Sequence, residues 1–143
     1  MKEKDLSIFL ENFDHIDSAF LHPKQGLFGK TLAFDCTLKG PMNHNGVIVD
    51  FGWVKKAVKK YLKERFDHKL IVFQGPDHKL LSQKDCYELL FQLDEQPCFY
   101  KCPKQALEWV NEQPEKISDY LSSELENYLK KTFPSLSLSL IHI

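Results

Sequence analysis

Residues 31–39, TLAFDCTLK, alternate without a break: Leu32, Phe34, Cys36 and Leu38 fall on one side of an extended chain, and Thr31, Ala33, Asp35, Thr37 and Lys39 on the other. Side chains of a strand point alternately to opposite faces, so the pattern predicts a strand with one face buried. A strand of this kind needs neighbours. Residues 6–21 supply a second, less regular one, and PKQGLFG at 23–29 carries the proline and glycine signals of the turn between them.

The period then changes from two to 3.6. After a loop, GPMNHNG at 40–46, the spacing of Val54, Val58, Tyr61 and Leu62 predicts a helix that Asp50 can cap and that ends near Phe66. Lys55, Lys56, Lys59, Lys60 and Lys63 take its opposite side. From 70 to 102 the runs LIVF, YELLFQL and CFYKC alternate with turn signals and predict two or three short strands. A brief helix is expected over 104–111. A longer one, 114–131, is expected to carry Ile117, Tyr120, Leu121, Leu125, Tyr128 and Leu129 on one stripe. SLSLSLIHI closes the chain as a strand with Leu136, Leu138, Leu140 and His142 on one face. The element order is that of a single α+β domain spanning 1–143.

Composition narrows the function classes. The chain has 143 residues, 19 basic and 20 acidic, and a net charge of -1, a weak basis for binding nucleic acid. It holds no apolar run of the roughly 18 residues that a membrane span needs. The N-terminal residues do not read as a secretory signal, and the expected location is the cytoplasm. Cys36, Cys86, Cys98 and Cys102 lack CxxC spacing and are expected to be reduced. Cys98 and Cys102, four apart on one strand, would have α-carbons about 13 Å apart, too far for a disulfide. The near-zero charge is unevenly spread. Residues 55–65 carry six basic groups and one acidic, whereas 85–126 carry ten acidic and three basic. Such patches suit self-association or an anionic ligand, and a lysine-rich helix face is also an ordinary solvated face.

The run GVIVDFGWVKKAVKKYLKERFDHKLIV resembles the pattern of the 6-pyruvoyl tetrahydropterin synthases and the related 6-carboxytetrahydropterin synthases. The matching pieces are Gly46 to Phe51, the helix to Phe66, and Asp67-His68-Lys69-Leu70. Upstream, residues 16–21 sit where the family's first strand closes and 27–30 where its second opens. The resemblance implies the tunnelling fold: an antiparallel four-stranded sheet with two main helices on one face, here with an extra short β region between them. It also implies a homo-oligomer, a trimer or hexamer built by edge-to-edge pairing.

The resemblance implies, too, a catalytic zinc held by three histidines, whose positions here are Phe20, Phe28 and Lys30. None is an ordinary zinc ligand, so no metal or other cofactor is expected. The family's proton-abstracting cysteine aligns with Lys24, and its pterin-gripping glutamate would fall near 141–143, where there is no carboxylate. Asp67 and His68 match the family's proton relay and are the candidate catalytic pair; a helix-exit structure would preserve them equally well. His15, His22 and His44 lie near enough in sequence to be tested as substitute ligands.

Two functions are therefore expected. One is a divergent family member without zinc-dependent lyase chemistry, binding a pterin- or purine-like heterocycle or acting as an assembly partner. Phe20 and Phe28 would then stack on the ring or fill the space of the metal, with Lys24 and Lys30 beside them. The other is an active, metal-independent lyase using His68 as acid or base, oriented by Asp67, with Lys24 or Lys30 anchoring an anionic group.

Overall fold

A computed structural model describes residues 5–41, 51–133 and 137–142. It contains eight strands and two helices among them: β1 Asp5–His22, β2 Gly26–Pro41, α1 Phe51–Arg65, β3 Leu70–Phe73, β4 Lys79–Ser82, β5 Cys86–Leu93, β6 Gln96–Pro103, β7 Leu107–Val110, α2 Ile117–Thr132 and β8 Ser137–His142. One sheet has the order β7-β3-β1-β2-β8, and a second is β4-β5-β6. The α+β class with two main helices agrees with the sequence reading. The main sheet has five strands rather than four, because β7 adds parallel to β3, which is itself parallel to β1.

That fifth strand replaces the brief helix expected over 104–111. Only Lys104–Ala106 turns, as a 3-10 segment, and Leu107–Val110 extends. Tertiary pairing overrides the local signal here: Leu107 and Val110 are buried, and each of the four residues pairs with one of Leu70 to Phe73. β2 is also longer than its alternating centre, so the turn after β1 shrinks to residues 23–25. The irregularity of β1 has a local cause. Asn12 adopts a left-handed φ of 48° and donates its N–H to Asp35 Oδ1 at 2.7 Å, which interrupts the strand's alternation.

Contacts cluster in two compact units, and β1 and β2 run through both. The first comprises Met1–His15, Leu32–Glu64 and Ile117–Ile143. In it, Leu32, Phe34, Cys36 and Leu38 are buried as the alternation requires, along with Val54, Val58 and Leu62 of α1 and Leu121, Leu125 and Leu129 of α2. The two helices meet through Tyr61 and Tyr128, with ring centroids 4.7 Å apart. The lysines of α1 are exposed. β8 runs antiparallel to β2 from Asp35↔His142 to Lys39↔Ser137. The cap at Asp50, His44 and Leu136 lie outside the described residues.

The second unit comprises Ile16–Thr31 and Arg65–Lys116. Leu21, Val72 and Leu107 project from one side of the strands β1, β3 and β7. They pack with Leu89 and Cys102 of the three-stranded sheet, and Leu80, Tyr87, Phe91 and Trp109 enclose the cluster. Arg65, at the end of α1, holds Glu108 of β7 through Nε at 3.0 Å and Nη2 at 2.8 Å. Gly75 is a close-packing position: a Cβ there would lie 2.8 Å from Pro23 Cβ.

All four cysteines are free thiols, with Cys36 and Cys102 buried. Burial pushes the Cys36 thiol up to about 12, and burial, then neighbouring Cys86, raises Cys102. An unfolded cysteine loses its proton near pH 9, so between that pH and about 12 the unfolded state binds fewer protons and Cys36 lowers stability as pH rises. Urea unfolding from pH 8 to 10.5 should therefore show a shallower loss of stability in Cys36→Ala than in the wild type. In the native state, iodoacetamide should label Cys98 far faster than Cys36.

Candidate functional site

Three phenyl rings meet where β1 ends, β2 begins and β3 ends. Phe20 stacks on Phe28 with centroids 5.8 Å apart and planes at 20°, and on Phe73 at 6.2 Å and 15°. The register explains the third ring. Phe20 pairs with Ile71 in the parallel ladder, so Phe73, two residues on, shares that face. Phe20 and Phe73 are buried, each 3% exposed, whereas Phe28 is half-buried. Phe28 is thus the ring with surface left for a ligand. Lys30, two residues further along β2, has the parity of Phe28 and is exposed.

Lys24 belongs to different surroundings. It lies in the turn after β1 and lines a cleft of about 400 Å³ together with His22, Leu27, Gln92 and Asp94. Gly26, at a φ of 80°, lets the chain double back there. The structure therefore brings Phe20 and Phe28 together, adds Phe73, and places Lys24 in a separate cleft.

The Asp67–His68 pair sits at the exit of α1. Asp67 Oδ1 accepts the Asp17 N–H at 2.8 Å, and the His68 N–H returns to the Asp17 carbonyl at 2.8 Å. Thr31 donates its hydroxyl to Asp17 Oδ1, and Ser18 donates its own to the Phe66 carbonyl. Asp67 is buried, and its Oδ2 lies 3.4 Å from His68 Nε2, longer than a well-formed N–H···O bond. The imidazole is 78% exposed. His68 adopts φ 55°, which the reciprocal bonds with Asp17 impose. The geometry is that of a backbone clamp carrying an accessible imidazole beside a buried carboxylate.

The three aligned positions do not fit a zinc ion. Two are phenyl rings stacked on one another and the third is an exposed ammonium. The histidines supply no substitute that the described residues can show. His22 Nδ1 accepts the N–H groups of Lys24 and Gln25, each at 3.0 Å, which leaves the proton on Nε2. His15 is exposed, and His44 lies outside the described residues. Among the described residues no three His, Cys, Asp or Glu side chains converge as a metal site. Sequence reading missed His78, which is buried and whose Nδ1 lies 2.7 Å from the Phe73 carbonyl. The carbonyl only accepts, so Nδ1 carries the proton and the ring pins the loop after β3. A GPDH turn holds no periodic signal that would mark it.

The family model described as 6-pyruvoyl tetrahydropterin synthase matches residues 9–140. A 6-carboxy-5,6,7,8-tetrahydropterin synthase from Rickettsia conorii is 29% identical over 96 residues, covering 66% of this chain and 53% of that protein. The match thus spans about half the length of that curated relative. The fold is similar to that of a 6-pyruvoyl tetrahydropterin synthase from Plasmodium vivax, with a TM-score of 0.68 and 19% identity over 97% of this chain and 89% of that one. It is also similar to the Plasmodium falciparum enzyme, with a TM-score of 0.59 and 20% identity over 98% and 96%.

The clamp predicts distinct mutational costs. Asp67→Ala should cost about 1–3 kcal/mol in urea unfolding, since the Asp17 N–H loses its acceptor. Asp67→Asn, which keeps an amide oxygen, should cost less. His68→Gly should leave stability within about 1 kcal/mol, because relief of the left-handed φ offsets the extra freedom of the unfolded chain, and His68→Val should lose more.

Proposed function

Because this chain belongs to the 6-pyruvoyl tetrahydropterin synthase family, we propose that it is a divergent member that binds a pterin- or purine-like heterocycle without the family's zinc-dependent lyase chemistry. The observation that carries this reading is the stack of Phe20, Phe28 and Phe73, with two of its rings at positions where the sequence resemblance calls for metal ligands. Phenyl rings offer no lone pair to a cation, and a filled apolar site avoids the cost of a cavity. The half-buried Phe28 offers a face for a planar heterocycle, and Lys30 supplies a positive charge of the same strand parity.

A metal-independent lyase is the second reading, favoured by one observation: the exposed His68 imidazole stands beside the buried Asp67 carboxylate. In that chemistry His68 would move the proton and Asp67 would orient the ring, with Lys24 or Lys30 holding an anionic group. Self-association is part of both readings.

Pterin fluorescence titration and turnover of dihydroneopterin triphosphate separate them. The binding reading expects saturable pterin binding, weakened about tenfold in Phe28→Ala, which corresponds to the loss of one stacking contact, and no product. Turnover that survives a chelator and disappears in His68→Ala would establish the second reading. Turnover that a chelator abolishes would overturn both.

A further inference from the structure

The turn between β1 and β2, residues 23–25, hangs on a single ring nitrogen. Pro23 has no N–H, so the turn has two backbone donors. Both end on His22 Nδ1: the Lys24 N–H and the Gln25 N–H, each at 3.0 Å. Among the described residues neither N–H has a second acceptor. An amide oxygen in that place accepts at every pH near neutral. An imidazole nitrogen accepts only while it carries no proton, and histidine is the side chain whose ordinary titration falls between about pH 5 and 8.

Protonation therefore reverses the contact. The neutral ring, with its proton on Nε2, offers Nδ1 as the acceptor, whereas an imidazolium is a donor at both nitrogens. Nδ1–H then faces two backbone N–H groups with no acceptor among the three, and a donor without a partner is costly to keep in place.

The flanks of the turn are held and its middle is not. Pro23 lies against Gly75 of the loop after β3, where a Cβ would come within 2.8 Å of Pro23 Cβ. Gly26 reverses the chain at φ 80°, and a Cβ there would lie 3.4 Å from Leu93 Cδ2 of β5. Lys24 and Gln25 between them are exposed. With His22 they form one wall of the cleft of about 400 Å³, and Gln92, Leu93 and Asp94 form the other. The charged groups that line this cleft with His22 are Lys24 on the turn and Asp94 at the β5–β6 tip, of opposite sign; β2 adds only Gly26 and Leu27. The loop after β3, behind Pro23, carries Asp77 and His78, and the His78 Nδ1 proton is committed to the Phe73 carbonyl.

We infer that His22 is a pH-operated latch on the β1–β2 turn. Neutral, it holds the Lys24 and Gln25 backbone and closes that wall of the cleft; protonated, it releases both and the wall opens. The latch is independent of the phenyl stack and of the ligand proposed there.

NMR of the full chain tests it. At pH 8 the His22 ring should show a bare Nδ1 and a protonated Nε2. On lowering the pH to 5, the Lys24 and Gln25 amide signals should move with the midpoint of the His22 ring. Their protection from solvent exchange, corrected for intrinsic rate, should fall about three- to tenfold, as the loss of one hydrogen bond each implies. His22→Asn keeps a side-chain acceptor that does not titrate and should abolish the pH dependence, and His22→Ala should show the weakly protected turn already at pH 8. A proton on Nδ1 at pH 8 would overturn the latch. So would Lys24 and Gln25 amides that stay unchanged between the two pH values, or the wild-type pH dependence in His22→Asn.

Discussion

Everything after the first helix depends on where the chain goes when α1 ends. Residues 66–69 are bound to residues 17–19 of β1 by reciprocal bonds: Asp17 N–H to the Asp67 carboxylate, His68 N–H to the Asp17 carbonyl, and Ala19 N–H to the Lys69 carbonyl at 3.0 Å. These start the parallel ladder, whose first pair is Ala19↔Leu70. Parallel strands cannot be joined by a tight turn, so β2 and α1 form the long connection that this geometry demands. With β3 fixed, β7 adds at its edge, Val72 and Leu107 acquire a common face for the second sheet to cover, and Phe73 comes within stacking distance of Phe20. A buried carboxylate thus has a sufficient structural reason to be present, whatever chemistry its histidine neighbour performs.

Local patterns in the sequence were legible wherever one face of an element is buried. The alternation of Leu32 to Leu38 and the stripes of α1 and α2 gave their buried positions almost residue by residue, because burial on one face forces the period. Leu107–Val110 carries no such pattern, for the complementary reason. A four-residue strand is shorter than one helical period plus its flanks, and its identity comes from pairing with β3, which lies 37 residues earlier in its register. The same limit hid Phe73 and His78. Phe73 joins the aromatic stack through a parallel register that no short-range signal encodes, and His78 matters through one carbonyl five residues upstream.

On the proposed reading, phenyl rings stand where the family resemblance calls for imidazoles. Both side chains are flat and ring-bearing, so one sheet can hold either with little change in backbone, but phenyl rings offer a cation no lone pair and pack here as an apolar stack. Phe20 and Phe73 at 3% exposure leave Phe28 as the outward ring of the stack. Lys24, by contrast, is near them only in sequence: the turn carries it into the cleft against the β5–β6 hairpin tip, where His22 ties the turn through its ring nitrogen.

The central claim is that this stack replaces a metal centre. Elemental analysis of the chain, purified without chelator and dialysed against micromolar zinc, tests it directly when the wild type is compared with Phe20→His/Phe28→His/Lys30→His. The account predicts far less than one zinc per wild-type chain and a rise toward one in the triple variant. One tightly held zinc per wild-type chain would contradict it.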